Sequence, residues 1–155
     1  GMDIIPFGRL GEVPLFNQDV EAEGDPESVT ALKQAIREAD ALLIATPEYN
    51  SGVPGVLKNA LDWASRKGVA EAAALAGKPA AVLGASPGRL GTARAQPQLR
   101  QTLAAAGAIV MSKPEVHFMS VSGQVADGVL VDEAARGIVS SLLQALADWI
   151  PRTQA

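Results

Sequence analysis

Two short runs, Ala41-Leu42-Leu43-Ile44-Ala45 and residues 79–84, are apolar throughout instead of alternating with polar residues. Strands of that kind are covered on both faces, as parallel strands between helices are, and the runs are too short for a buried helix. Amphipathic segments separate them. At Asp25-Pro26-Glu27 a capping residue, a proline suited to the first helical position and an early acid come together. Val29, Leu32 and Ile36 then recur at helical spacing, predicting a helix that ends near Ala39. Pro54 opens a second helix with Leu57, Ala60, Leu61 and Ala64 on one face, Trp63 packing nearby, and Arg66, Lys67 and Gly68 marking its end. A third carries Leu99 and Leu103 toward a stop at Gly107, with Pro97 forcing it to start at Gln96 or to kink.

Residues 3–7 read as a further strand, followed by an irregular acidic stretch punctuated by Gly11, Pro14, Asn17 and Gly24. Residues 108–111 and 116–118 form a broken last strand. After a glycine-containing loop, Asp132 caps a closing helix with Ile138, Leu142, Leu146 and Trp149, stopped by Pro151. Strands alternating with helices predict a three-layer α/β domain with a mainly parallel sheet, and 155 residues with 48% apolar content suit a single domain spanning 1–155.

Thirteen Lys and Arg against 17 Asp and Glu give a net charge of −4 without a basic cluster, which disfavours nucleic acid and anionic membrane as partners. With no cysteine and one histidine, thiol chemistry is excluded and no metal site is expected. No apolar run approaches the length of a membrane span and no leader pattern is present, so the expected location is the cytoplasm.

In parallel sheets ligands sit beyond the carboxyl ends of the strands, which directs attention to residues 46–52 and 86–91. The first loop holds the single tyrosine, Tyr49, between Pro47-Glu48 and Asn50. An aromatic held there suits a flat stacked ligand, and composition alone leaves open that it covers the sheet edge. In the second loop, Ser86-Pro87-Gly88-Arg89, glycine lets a ligand approach the backbone, although spacing alone favours an ordinary strand-to-helix turn. Gly84-Ala85-Ser86-Pro87-Gly88 also fits the G-x-S-x-G nucleophile elbow. The chemistry argues against a hydrolase: Pro87 has no N–H for an oxyanion hole, and no Asp lies between Ser86 and His117. His117 reads as a packed or surface strand residue. A phospho-acceptor receiver domain would need a carboxylate at a strand end, where Ala45-Thr46 and Ala85-Ser86 supply none.

Pro14-Leu15-Phe16-Asn17, Pro47-Glu48-Tyr49-Asn50, the block 52–63 (Gly-Val-Pro-Gly-Val-Leu-Lys-Asn-Ala-Leu-Asp-Trp) and Gly84-Ala85-Ser86-Pro87-Gly88 resemble, in order and spacing, the NADPH-dependent FMN reductase family. This is the flavodoxin-like group that includes bacterial quinone and chromate reductases, and the resemblance runs from Asp3 to about Ile150. It implies a sheet in the order 2-1-3-4-5 with FMN at its carboxyl edge. Electrons would pass from NADPH through FMN to a small-molecule acceptor such as a quinone, a flavin or a metal oxyanion. Pro47, Glu48, Tyr49 and Asn50 would lie along the flavin ring, with Ser86, Pro87, Gly88 and Arg89 on its other side, and no side chain need act as acid or base.

Family members begin with a strand, a phosphate-holding loop and a helix, whereas this chain starts at what looks like their second strand. The fold is therefore expected to miss its first βα unit, and Gly8-Arg9-Leu10-Gly11, with Glu12 close by, does not replace the phosphate site. FMN and riboflavin are then expected to bind weakly and about equally. The competing expectation is a non-catalytic flavodoxin-like domain that has lost FMN and keeps an oligomerisation role. Because the missing strand would be central, the strands at 3–7 and 41–45 are expected to have open edges or to pair directly. Exposed edges associate, so a homodimer or homotetramer is expected, with the Trp63 helix or the Pro97 helix among its contacts.

Overall fold

The computed structural model describes residues 2–67 and 72–153, so the helix-end residue Gly68 lies outside the described residues. At its centre β1 (Leu42–Thr46) pairs in parallel with β2 (Pro79–Ala85). The other edge of β2 takes β3 (Ile109–Val110) near its start and β4 (Val116–Phe118) near its end, both parallel. The broken last strand is thus two strands sharing one edge. This order is that expected of the third, fourth and fifth strands of a 2-1-3-4-5 sheet.

Alternation along β2 divides the core. Ala80 and Val82 pack under α2 (Glu27–Glu38), α3 (Gly55–Ala64) and α4 (Ala95–Ala105), while Ala81 and Leu83 meet Leu142 and Leu146 of α5 (Glu133–Thr153). Helices on both faces of a parallel sheet make the three-layer α/β arrangement that the apolar runs predict.

Residues 3–7 do not form the expected strand. Ile4 and Ile5 face solvent, Ile5 being 88% exposed, while Phe7 packs at the edge of the core. A strand exists only as half of a ladder. Among the described residues β1 pairs with β2 alone, so its second edge is open and the segment 3–7 does not pair with it directly. Burial follows: β2 is buried at most positions and β1 only partly.

The acidic stretch after it is less irregular than its Gly and Pro content suggests. Leu10–Glu12 forms a 3₁₀ turn, and Arg9 pairs with Glu12 at 2.7 Å, which holds the Glu12 carboxyl below its ordinary range. Asn17 caps α1 (Gln18–Glu23) by accepting from the Asp19 N–H at 2.8 Å. Asp25 does not cap α2: Pro26 holds the cap position, and the Asp25 carboxylate accepts both bonds from Lys33 Nζ, at 2.9 and 2.7 Å. Lys33 is 2% exposed, so this ion pair answers the cost of burying its ammonium.

The block 52–63 explains itself through residues 13–16. Asn59 Oδ1 accepts from the Phe16 N–H at 2.8 Å and its Nδ2 donates to the Pro14 carbonyl at 2.9 Å. Trp63 Nε1 donates to that same carbonyl at 2.8 Å, and its buried ring meets Phe16 edge-on with centroids 4.9 Å apart. Arg66 lies over the Phe16 ring and pairs with Glu21 at 2.7 Å. Loop 13–16 is therefore pinned to one helix face.

Pro97 is the third residue of α4, within the first turn, where a missing N–H breaks no helical bond. Asp132 caps α5 by accepting from the Ala135 N–H at 2.7 Å. Pro151 does not stop this helix, which runs on to Thr153. A proline this close to the end leaves only a fraction of a turn to disturb, and Thr153 Oγ1 bonds the Ile150 carbonyl at 2.9 Å. The loop before α5 contains a hairpin, β5 (Val125–Ala126) with β6 (Val129–Leu130). Asp127 and Gly128 at its tip are both left-handed, as a two-residue hairpin turn requires.

Candidate functional site

The register of β1 and β2 places Thr46 opposite Gly84, so both following loops leave the same end of the sheet from neighbouring strands. At Gly84 the backbones come too close for a side chain: an added Cβ would lie 2.5 Å from the Thr46 carbonyl oxygen and 2.7 Å from Thr92 Cγ2. Thr92, Gln96 and Thr46 are buried beneath the loops. Gln96 Nε2 donates to Thr92 Oγ1 at 2.8 Å and to the Val116 carbonyl at 2.7 Å, seating α4 against the strand ends.

In the first loop, Tyr49 and Gly52 exchange backbone bonds at 3.2 and 3.0 Å around Asn50 and Ser51, both left-handed at φ 51° and 63°. This is the type I′ pattern, which presses the turn residues outward. Tyr49 is 64% exposed, so its ring does not cover the sheet edge. The Glu48 carboxylate turns inward, with one oxygen, Oε2, accepting from the N–H groups of Arg94 and Ala95 at 2.9 Å each. Arg94 returns a bond from Nη1 to Ser51 Oγ at 2.9 Å, and Gln98 Nε2 reaches the Ser51 carbonyl at 3.1 Å. A carboxylate at the amino end of α4 also complements the helix dipole and fills the place where an external anion could sit.

The second loop hangs between β2 and the segment after β4. Ser86 donates its N–H to the Phe118 carbonyl at 3.0 Å, while its hydroxyl accepts from the Gly88 N–H at 3.1 Å. The Gly88 carbonyl accepts from Ser120 N–H at 3.1 Å. The Ser86 hydroxyl is thus a turn former, in keeping with the argument against a hydrolase. His117 sits on β4 with Nε2 3.6 Å from Glu115, whose carboxyl is held below its ordinary range by its bond to Lys113 and by His117.

All eight residues singled out from the sequence fall on one rim. Pro47, Tyr49, Asn50, Pro87, Gly88 and Arg89 are exposed, and Glu48 and Ser86 are half-buried with side chains engaged in holding the loops. The backbone N–H groups of Asn50 and Arg89 have no partner among the described residues. Backbone donors without protein partners and an exposed aromatic at one end of the sheet are groups that a flat heterocycle with carbonyl and ring-nitrogen acceptors could use. Sequence reasoning missed Ser51, Thr92, Gln96 and Gln98; the spacing of Thr92 and Gln96, one helical turn apart, was the available signal.

A cleft of about 360 Å³ lies elsewhere, lined by Val110, Met111, Lys113, Asp148, Trp149 and Arg152. Val110 stands opposite Ala80, so the cleft is at the amino-terminal end of β2, away from the rim. In a parallel sheet the strand carboxyl ends are the ligand edge, and the rim is the candidate site.

The sequence profile described as NADPH-dependent FMN reductase matches residues 1–123. The chain is 49% identical over 149 residues to the NAD(P)H-dependent FMN reductase PA1204 of Pseudomonas aeruginosa, spanning 96% of this chain and 79% of that protein. To a quinone reductase of Escherichia coli K12 it is 38% identical over 156 residues, spanning 99% and 81%. Among solved structures, FerB of Paracoccus denitrificans, a flavoenzyme NAD(P)H:(acceptor) oxidoreductase, superposes with a TM-score of 0.81 at 40% identity, covering 93% of this chain and 78% of that one.

The contact at Gly84 predicts that Gly84→Ala destabilises by about 2 to 3 kcal/mol, because the obstacle is backbone and a buried threonine. Gly88→Ala, whose Cβ would meet nothing nearer than Ser86 Oγ at 3.4 Å, is expected to stay within about 0.5 kcal/mol of the parent. Urea unfolding of the two variants checks this; equal stabilities would show that β1, β2 and the Thr92 turn before α4 are not in close contact there.

Proposed function

The chain belongs to the NADPH-dependent FMN reductase family, and on that premise we propose that the rim formed by Pro47, Glu48, Tyr49, Asn50, Ser86, Pro87, Gly88 and Arg89 is the seat of the flavin ring. The protein is a flavodoxin-like, flavin-dependent NAD(P)H oxidoreductase, and its relatives favour that activity over a non-catalytic domain. The observation that carries the site reading is the pair of loops at one sheet end, one with the exposed Tyr49 ring, and each with a backbone donor, Asn50 or Arg89, that has no partner among the described residues.

Bound FMN supplies hydride acceptance and onward electron transfer. The chain's residues bind and orient. Tyr49 offers an aromatic face, Asn50 and Arg89 donate backbone bonds, and Pro47 and Pro87 restrict the loops. Glu48 and Ser86 act through the bonds that hold their loops. The acceptors would be quinones, flavins or metal oxyanions, and the exposed Pro47, Tyr49, Asn50, Pro87, Gly88 and Arg89 would leave the rim accessible to them and to the nicotinamide. NADPH serves as the electron donor.

We read residues 1–155 as one domain working in the cytoplasm; no helix among the described residues is long and apolar enough to cross a membrane. The chain assembles as a homodimer or homotetramer. Supporting this are the exposed apolar side chains Leu15 and, on α3, Val56. Light scattering at micromolar concentration tests the assembly: a dimer or tetramer is expected, and a monodisperse monomer would contradict it.

For the reaction, nicotinamide absorbance is followed with NADPH and a benzoquinone across a range of FMN concentrations. FMN-dependent, saturable oxidation is expected. Tyr49→Ala, which removes an exposed ring, should raise the half-saturating FMN concentration about three- to tenfold at unchanged thermal stability. Absence of FMN-dependent oxidation, together with unaltered flavin fluorescence, would refute the reading.

A further inference from the structure

We propose that Glu48 is a positioning residue for the flavin: by capping α4 with its carboxylate it holds the Tyr49–Gly52 turn in the one conformation that presents the Asn50 N–H and the Tyr49 ring to the ligand. The inference rests on the ring-seat reading above and deepens it.

The turn is costly on its own. Asn50 and Ser51 both occupy the left-handed region, which a side chain with a Cβ resists and which persists only where surrounding contacts over-determine it. Asn tolerates that conformation; Ser at the second position has no such advantage. Four hydrogen bonds supply the constraint, and all lead to the first turn of α4 and its cap residue Arg94. Glu48 Oε2 takes the N–H groups of Arg94 and Ala95, the Arg94 guanidinium holds the Ser51 hydroxyl, and the Gln98 amide holds the Ser51 carbonyl. Glu48 anchors this set, because its bonds are charge-assisted and lie immediately before the turn. Gly52 is drawn into the same contact, an added Cβ there standing 3.2 Å from Gln98 Oε1.

Alpha4 is in turn fixed through buried Gln96 and Thr92 to the strand ends beneath the second loop. Glu48 thereby references the first loop to the same framework that carries the second. Losing its carboxylate frees Asn50 and Ser51 to leave the left-handed region and moves the Asn50 donor, while the helix and sheet stay packed. Since a single oxygen accepts both bonds, a glutamine amide oxygen at this position can make them too, whereas an aspartate is one methylene short.

The test is titration of FMN by fluorescence quenching against the parent chain, Glu48→Ala and Glu48→Gln, with thermal unfolding recorded for each. Glu48→Ala is expected to weaken FMN about tenfold, and Glu48→Gln to remain within about threefold of the parent. A Glu48→Ala variant that binds as the parent does, or a Glu48→Gln variant that loses as much as Glu48→Ala, overturns the proposal. If Glu48→Ala fails to fold, Glu48→Asp takes its place: weakened binding is expected and parental binding overturns the proposal. A parent that leaves FMN fluorescence unaltered rejects the ring-seat reading and this inference together, whereas a parent that binds FMN beside an equally tight Glu48→Ala rejects this inference alone.

Discussion

The absence of a side chain at Gly84 lets the carboxyl end of β2 lie against both the Thr46 carbonyl and the buried Thr92. From that close approach the rest of the rim follows. It brings the start of α4 down onto the strand ends, where Gln96 ties Thr92 to the Val116 carbonyl of β4. It leaves the amino end of α4 level with the first loop, within reach of Glu48. The rim is thus built on backbone and buried side-chain contacts that join β1, β2 and α4.

The segments that make the sequence recognisable divide into two kinds. Asn59 and Trp63 both bond the Pro14 carbonyl, Asn59 also accepts from the Phe16 N–H and Trp63 meets the Phe16 ring, fixing a long loop to α3. Residues 47–50 and 86–89 form the rim itself. Even there, the Glu48 and Ser86 side chains bond the backbone and hold the loops.

What was legible in the sequence was whatever local pattern and topology determine. The unbroken apolar runs at β1 and β2 gave parallel strands, parallel strands gave the ligand edge, and that edge gave both loops. Residues 3–7 have a strand's composition, but pairing is a long-range property, and among the described residues no ladder reaches them. Asp25 looked like a cap because its own neighbourhood says so, while the partner that claims it, Lys33, lies across the helix start. Glu48 posed the same difficulty on a larger scale, since its partners are 46 and 47 residues away. The hairpin at Val125–Leu130 was legible from Asp127-Gly128 between valines, a signal that a reading of the whole stretch as loop passed over.

The central claim is that the two loops at the carboxyl ends of β1 and β2 hold the flavin ring. Amide resonances of the nitrogen-labelled protein, followed during titration with FMN, test it most directly. The account predicts that the largest shifts fall on Asn50, Gly88 and Arg89, with Arg94 and Ala95 responding through Glu48. Shifts centred instead on Met111, Lys113 and Trp149, around the cleft at the opposite end of β2, would contradict it.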